Sequence, residues 1–135
     1  MTPRSPHPRT WARPLESLAH DAASNKDQVS ARMLDMLAHQ QHSDRLPVPL
    51  PINVRVAHKT GELPNLRHDA GIVFAPGGAY LFVALVQSAA SESAARTAIV
   101  DLSQAVYAAL QPTGVTLYQG LPPRLAREIF DVPDA

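Results

Sequence analysis

The sequence contains no cysteine, which excludes several kinds of chemistry. Without thiols the chain can form no disulfide scaffold, offers no thiolate nucleophile and cannot bind zinc through cysteine. It also lacks an excess of charge of either sign, since 12 basic side chains are balanced by 12 acidic ones. A formal net charge of zero gives no electrostatic reason to expect nucleic acid or an anionic membrane as a partner.

Long apolar runs are missing as well. The longest, Ala79 to Val86, has the length of a strand and is far shorter than the ~20 residues that span a bilayer. Residues 1–14 carry arginines but lead into no apolar segment, so no signal peptide is readable. The sequence therefore predicts no membrane span and leaves the cellular location open.

Prolines divide the chain into segments. One group lies within 3–14 and a second within 47–51, and neither is expected inside a regular helix, because proline lacks an N–H and fixes φ. A length of 135 residues with 45% hydrophobic residues allows one small domain with a core. We predict a Pro/Arg-rich N-terminal segment with a weak helix at 1–26, a domain at 27–110 and a proline-containing tail at 111–135.

Hydrophobic spacing predicts the elements of that domain. Apolar residues at three- and four-residue intervals indicate helices at about 27–41 and at 91–110, the second with its first residue as N-cap. Apolar runs indicate strands at 54–58, 70–75 and 80–87, the last two joined by a Pro-Gly-Gly turn that is typical of a hairpin. The expected fold class is α+β, with three antiparallel strands covered by helices.

Two stretches carry features that are typical of a particular protein family, namely Val56 to Gly61 and Arg67 to Val73. The first ends in Lys-Thr-Gly, one of the three motifs of the penicillin-recognising serine hydrolases. The order of elements around this strand is also that of the family. A helix and a connection with glutamine and proline precede the strand. An aspartate before the next strand, a Pro-Gly turn and a final helix follow it. Residues 28–110 thus resemble the C-terminal half of a class A β-lactamase or penicillin-binding domain. The resemblance implies the C-terminal part of a three-layer α/β/α fold.

The resemblance also implies a substrate-binding site. Lys59 and Thr60 would bind a substrate carboxylate, and Gly61 would let an acyl-amide substrate lie beside the strand. Glu62 would donate its backbone N–H to an oxyanion hole. The implied substrate is a β-lactam or a peptidoglycan-like molecule, and the implied reaction is β-lactam hydrolysis through an acyl-enzyme, with no cofactor and no metal.

The catalytic residues of that family are missing from the sequence. The family's nucleophile lies in Ser-x-x-Lys, yet Ala23 and Val56 stand three residues before Lys26 and Lys59, the two lysines of the chain. Ser-x-Asn is absent, as is a glutamate four residues before an asparagine. Because hydrolysis requires an activated nucleophile and a base, we predict a truncated fragment that has no catalytic residue and is inactive alone.

Two alternatives stay open. Lys-Thr-Gly does not separate β-lactam hydrolysis from peptidoglycan acyl transfer, so one alternative is a DD-peptidase-like penicillin-binding fragment. The other is a non-catalytic binding or complementing module. In the complete family fold the last strand would pair with a strand of the N-terminal half. Its open edge here predicts self-association or a partner that supplies the missing half.

Polar residues near the motif have structural interpretations too. His58 and His68 lack further partners at metal-ligand spacing, so no metal site is expected there. Asp69 is expected to form a structural ion pair with the nearby Arg67 or a hydrogen bond at the entry to its strand, rather than to act in catalysis.

Overall fold

Six regular elements make up the parts of the chain that the computed structural model describes, residues 7–24, 28–87 and 89–110. In chain order they are α1 (Pro8–Ala23), α2 (Gln28–Ala38), β1 (Arg55–Leu63), β2 (Leu66–Ala75), β3 (Gly78–Gln87) and α3 (Glu92–Leu110). The predicted α+β class with three antiparallel strands is confirmed. No helix in these ranges is both long and apolar enough to cross a membrane.

Two tight turns set the sheet order β1-β2-β3. Leu63 pairs with Leu66, and Asn65 between them has a φ of 62°, a left-handed conformation that asparagine tolerates better than most residues. Ala75 pairs with Gly78, whose φ of 135° is readily adopted only by glycine. The second turn confirms the hairpin predicted from Pro-Gly-Gly, and the first makes β1 and β2 neighbours.

The sheet lies between two layers of helices. Successive residues of a strand point to opposite faces, so adjacent Ile72 and Val73 enter different cores. Ile72 is buried with Ala19 of α1 and Leu34 of α2. Val73 is buried on the other face with Ile99 of α3. The described residues therefore form three layers, with α1 and α2 on one side of the sheet and α3 on the other.

Helix α1 contradicts the expectation that the N-terminal prolines lie outside helices. It begins at Pro8, where the missing N–H costs little because first-turn N–H groups have no acceptor within the helix. His7 caps this end, and its Nδ1 accepts a hydrogen bond from the backbone N–H of Arg9 at 3.2 Å. Pro14 lies inside the helix although it removes one hydrogen bond. Burial of Ala19 against the sheet shows that tertiary packing stabilises α1 despite this proline.

Helix α3 begins as the sequence predicts. The hydroxyl of Ser91 accepts a hydrogen bond from the backbone N–H of Ala94 at 3.0 Å, which is the N-cap interaction expected of serine. Glu92 and Arg96 form an i,i+4 ion pair at 3.9 Å. The predicted tail, 111–135, lies outside the described residues, and the division of the chain into three segments stays a prediction.

Tyr80 is buried on the α3 face, and its hydroxyl has no hydrogen-bond partner within the described residues. Burial, with a smaller contribution from Tyr107, raises the pKa of Tyr80 to about 12 from its ordinary value of 10. Since an unpaired buried hydroxyl is costly, we expect Tyr80→Phe to raise the free energy of unfolding at neutral pH by about 1 kcal/mol.

The same substitution should change the pH dependence of stability. Because the pKa of Tyr80 is raised in the folded state, that state favours the neutral phenol. The contribution of this raised pKa to the free energy of unfolding is complete below pH 10 and is lost as the pH rises through about 12. Urea denaturation of both chains at neutral pH and at about pH 11 measures both effects. A Phe variant that is less stable at neutral pH would contradict the first expectation.

Candidate functional site

The Lys-Thr-Gly motif lies in β1, at an edge of the sheet. Among the described strands β1 pairs only with β2, so the outer side of residues 59–61 faces no other strand. The Lys59 side chain is exposed, and its Nζ donates a hydrogen bond to the backbone carbonyl of Thr60 at 2.7 Å. An edge strand that carries an exposed cation can receive an extended ligand with an anionic group.

The four predicted site residues divide between the two faces of the sheet. Lys59 and Gly61 lie on the face covered by α1 and α2, whereas Thr60 and Glu62 lie on the α3 face, because alternate residues point in opposite directions. Thr60 is only 8% exposed and pairs with Asp69 of β2, but the Glu62 side chain is exposed. The structure thus places all four along one strand and buries most of the Thr60 side chain.

Gly61 has room for a side chain. A Cβ placed on Gly61 would meet only the side chain of His68, whose Cβ would lie 3.5 Å away at ordinary van der Waals distance. Gly61 also does not adopt a positive φ, unlike Gly78. Packing and backbone conformation within the described residues therefore do not require glycine at this position.

Arg45 connects the end of β1 to β2. Its fully buried guanidinium donates to the carboxylate of Glu62 and, at 3.0 Å, to the backbone carbonyl of His68. The hydrogen bond and the charge of Arg45 hold the pKa of Glu62 below its ordinary value, so this carboxylate is ionised at neutral pH. The role of Arg45 could not be predicted from the sequence. Arg45 lies in the proline-containing connection before β1, and nothing in that segment indicates a buried charge.

A second polar network lies on the α3 face and includes the residue before Lys59. Asp69 is fully buried; its Oδ1 lies 2.9 Å from Nδ1 of His58, and its Oδ2 accepts from the backbone N–H of Leu46 at 3.1 Å. The carbonyl of Leu46 accepts in turn from the hydroxyl of Ser103 in α3 at 2.7 Å. Because its side chains are buried, this network holds β1, β2, α3 and the connection before β1 in fixed relative positions.

The structure separates the two interpretations of Asp69. The expected ion pair with Arg67 is wrong, whereas the expected structural hydrogen bond is confirmed. Both carboxylate oxygens of Asp69 are already bonded, as described above. Arg67 instead pairs with Glu92 of α3 and donates to the carbonyls of Leu63 and Leu66 at 2.9 and 2.7 Å.

Gly71 makes the contact between His58 and Asp69 possible. It is the cross-strand partner of His58, and a Cβ at this position would lie 2.6 Å from the Cβ of His58 and 2.6 Å from the carbonyl oxygen of Ala57. The Cβ of His58 therefore lies against a residue without a side chain, while Nδ1 of the same residue reaches Asp69. This close approach, unlike the one at Gly61, requires glycine.

The remaining histidine near the motif has a backbone partner. Nδ1 of His68 accepts a hydrogen bond from the N–H of Val86 at 3.1 Å. Within residues 7–24, 28–87 and 89–110, no three histidine, aspartate or glutamate side chains come together in a way that could hold a metal ion. The polar residues around β1 are joined by hydrogen bonds and ion pairs in the described part of the chain.

Solved structures similar to this chain include those of a β-lactamase and of PBP-A. The β-lactamase from Sphaerobacter thermophilus is 30% identical, with a TM-score of 0.63 over 77% of this chain and 39% of that one. PBP-A is 27% identical, with a TM-score of 0.63 over 73% of this chain and 39% of that one. A mutant of PBP-A in an acyl-enzyme complex with penicillin G is also 27% identical, with a TM-score of 0.57 and the same coverage.

The chain spans about two fifths of the length of these structures. No curated protein matches it significantly. The β-lactamase enzyme family, however, matches residues 4–110, which is most of the sequence. The chain therefore belongs to the β-lactamase enzyme family.

Proposed function

We propose that this chain is the C-terminal, substrate-binding part of a class A-type β-lactamase fold and that β1 is its substrate-binding strand. The family match over residues 4–110 supports the proposal, as does the position of Lys-Thr-Gly in an edge strand. The chain covers 39% of each similar structure, which agrees with one part of a larger fold.

One observation carries the assignment of β1: the motif holds a glycine that the described packing does not need. Glycine inside a strand lowers stability, because it loses more conformational freedom on folding and contributes no side chain to packing. A substrate that pairs with the outer side of β1 would need the space beside Gly61 to remain open. The exposed cation of Lys59 lies two residues away, on the same face.

In the proposed complex the ammonium of Lys59 binds the substrate carboxylate. The Thr60 hydroxyl, which the sequence resemblance also assigned to that group, lies on the opposite face and is largely buried, so in this arrangement Lys59 binds the carboxylate without it. Glu62 donates its backbone N–H to the oxyanion that forms when the substrate carbonyl is attacked. Arg45 holds the side chain of Glu62 on the α3 face and so positions the backbone of that residue.

A serine from another polypeptide segment must complete the proposed reaction. Its oxygen attacks the lactam carbonyl, the carbon–nitrogen bond of the ring breaks and the nitrogen takes up a proton, and water then releases the acyl group. In residues 1–135 no serine precedes a lysine by three positions. We therefore infer that the chain has no hydrolytic activity by itself.

A DD-peptidase-like penicillin-binding role is the second candidate. PBP-A favours it, because its structure is as similar to this chain as that of the Sphaerobacter β-lactamase, with a TM-score of 0.63 for each. The same strand would then bind the acyl-amide of a peptidoglycan-like substrate. The two candidates share carboxylate binding at Lys59 and differ in the substrate and in the fate of the acyl group.

We expect the purified chain to bind benzylpenicillin through β1 and to leave a chromogenic cephalosporin intact. Nuclear magnetic resonance should show shifts of the backbone amides of residues 59–62 on addition of benzylpenicillin. Lys59→Ala should weaken this binding about tenfold, because it removes the cation that pairs with the carboxylate. Arg13→Ala, which removes an exposed cation on α1, is the matched control and should leave binding unchanged.

Two results would count against the proposal. Turnover of the cephalosporin that Lys59→Ala abolishes would show that the chain is active by itself. Equal loss of binding in the Lys59 and Arg13 variants would show that the penicillin is held by general charge attraction rather than by β1.

A further inference from the structure

The hydrogen bond to the ring of His68 determines which of its nitrogens carries the hydrogen. The backbone N–H of Val86 donates to Nδ1 of His68 at 3.1 Å. A ring nitrogen that accepts a hydrogen bond carries no hydrogen, so the imidazole is in its neutral form with the hydrogen on Nε2. His68 therefore offers a neutral N–H donor at the distal end of its ring.

The imidazole of His68 lies beside Gly61, its cross-strand partner in β1. A Cβ placed on Gly61 would lie 3.7 Å from Cδ2 of His68, the carbon bonded to Nε2, and 4.0 Å from Cγ. The ring thus turns its Cδ2 edge toward β1, while its Nδ1 is bonded to β3. A side chain at residue 61 would lie against that edge, whereas glycine places no atom over it.

The ammonium of Lys59 lies beside the same glycine. Its Nζ donates at 2.7 Å to the carbonyl of Thr60, which belongs to the peptide group that joins Thr60 to Gly61. Lys59, Gly61 and His68 share one face of the sheet, because alternate residues of a strand and cross-strand partners point the same way. Two donors, one charged and one neutral, are therefore positioned next to Gly61 on a single face.

We propose that His68 is a second binding residue for the substrate carboxylate, donating its Nε2–H to one oxygen while the ammonium of Lys59 binds the other. This role rests on the proposed function of β1. It supplies the neutral donor that Thr60, which is largely buried on the opposite face, does not. Both carboxylate oxygens accept hydrogen bonds, so a single ammonium leaves part of that capacity unused. In the complex the carboxylate takes the place that a side chain at residue 61 would fill.

His68 is held in place at its backbone and at its ring. Arg45 donates to its carbonyl at 3.0 Å, and the N–H of Val86 holds Nδ1. Because these bonds fix the residue before a ligand arrives, binding costs little additional side-chain entropy. We therefore expect His68 to raise the affinity for a carboxylate ligand about tenfold, as a hydrogen bond to a charged group does.

Titration of the full chain and its variants with benzylpenicillin, followed by nuclear magnetic resonance, tests the proposal. His68→Asn keeps an amide oxygen that can accept from Val86, but its side chain ends before Nε2, so affinity should fall about tenfold. His68→Gln carries an amide N–H about as far out as Nε2 and should restore much of that affinity. His42→Asn makes the same change at an exposed histidine before β1 and, as the matched control, should bind as the wild type does.

The methyl ester of benzylpenicillin identifies the group that His68 binds. The ester lacks the carboxylate but keeps the rest of the molecule, so His68→Asn should change its affinity by less than about twofold. Nitrogen-15 spectra of the histidine rings give a readout that does not depend on the variants. They should show the hydrogen of His68 on Nε2, and benzylpenicillin should shift that resonance.

Four results would overturn the proposal. A hydrogen on Nδ1 of His68 would show that the required donor is absent. Unchanged binding by His68→Asn, with binding lost in Lys59→Ala, would exclude His68 and leave the proposed function of β1 intact. Equal weakening of benzylpenicillin and its ester by His68→Asn would show that His68 supports the fold and not the carboxylate. A wild-type chain that binds no benzylpenicillin would contradict the proposed function and the role of His68 together.

Discussion

Gly71→Ala is expected to lower the free energy of unfolding by about 3 kcal/mol, since it inserts a methyl group where there is no space. The new Cβ would lie 2.6 Å from the carbonyl oxygen of Ala57 and 2.9 Å from Cα of His58, which are backbone atoms of β1. A flexible side chain could rotate away, but a backbone in a paired strand cannot. The two strands must therefore separate locally, which weakens the ladder between β1 and β2.

Gly61→Ala is the matched control, because it makes the same chemical change in an adjacent part of the same strand pair. Its Cβ would meet only His68, at an ordinary contact distance of 3.5 Å. We expect its stability to lie within about 0.5 kcal/mol of the wild type. Urea denaturation with an unchanged m value measures both variants. If the two substitutions lowered the free energy of unfolding equally, the close packing of His58 over Gly71 would not be important for stability.

The two glycine variants also distinguish a role in folding from a role in substrate binding. If Gly61 serves the substrate, Gly61→Ala should keep the fold and lose benzylpenicillin binding, because the methyl group fills space on the same face of β1 as Lys59. Gly71→Ala should lose both together. Stability and binding measured on the same two variants therefore indicate which glycine the fold requires.

The order of strands and helices could be predicted from local features of the sequence. The Pro-Gly-Gly turn, the N-cap at Ser91 and the spacing of apolar residues each depend on neighbours within a few positions, and each is confirmed. The prediction for Pro14 was wrong because the penalty of a proline is also local, whereas the packing that offsets it comes from distant residues of the sheet. Local sequence patterns therefore predict the structure best where interactions between neighbouring residues determine it.

The supporting contacts of the site could not be predicted in this way. The hydrogen bond from the hydroxyl of Ser103 to the carbonyl of Leu46 joins residues 57 positions apart, and Arg45 reaches His68 across 23 positions. No spacing rule links such residues, because their proximity depends on how the three layers pack. The motif residues were recognisable because a family resemblance identified them, while the buried groups that hold the strand required the structure.

Asp69→Ala is expected to lower the free energy of unfolding by about 4 kcal/mol, as an aspartate with two buried hydrogen-bond partners is removed. The side chain is 0% exposed and bonds both His58 and the backbone N–H of Leu46. Alanine would leave both partners buried without an acceptor. Neither is expected to find water, because the site lies between the sheet and α3.

Asp69→Asn separates the loss of the carboxylate from the loss of the hydrogen bonds. Its carbonyl oxygen can still accept from Leu46, and its amide can donate to Nδ1 of the other neutral tautomer of His58. We expect a loss of only about 1–2 kcal/mol, and a double-mutant cycle of Asp69→Ala with His58→Ala should show a coupling of more than about 1 kcal/mol. Additive effects in that cycle would show that the two side chains act independently. Strong coupling together with shifted amides at residues 59–62 would show instead that this buried pair sets the position of the proposed substrate-binding strand.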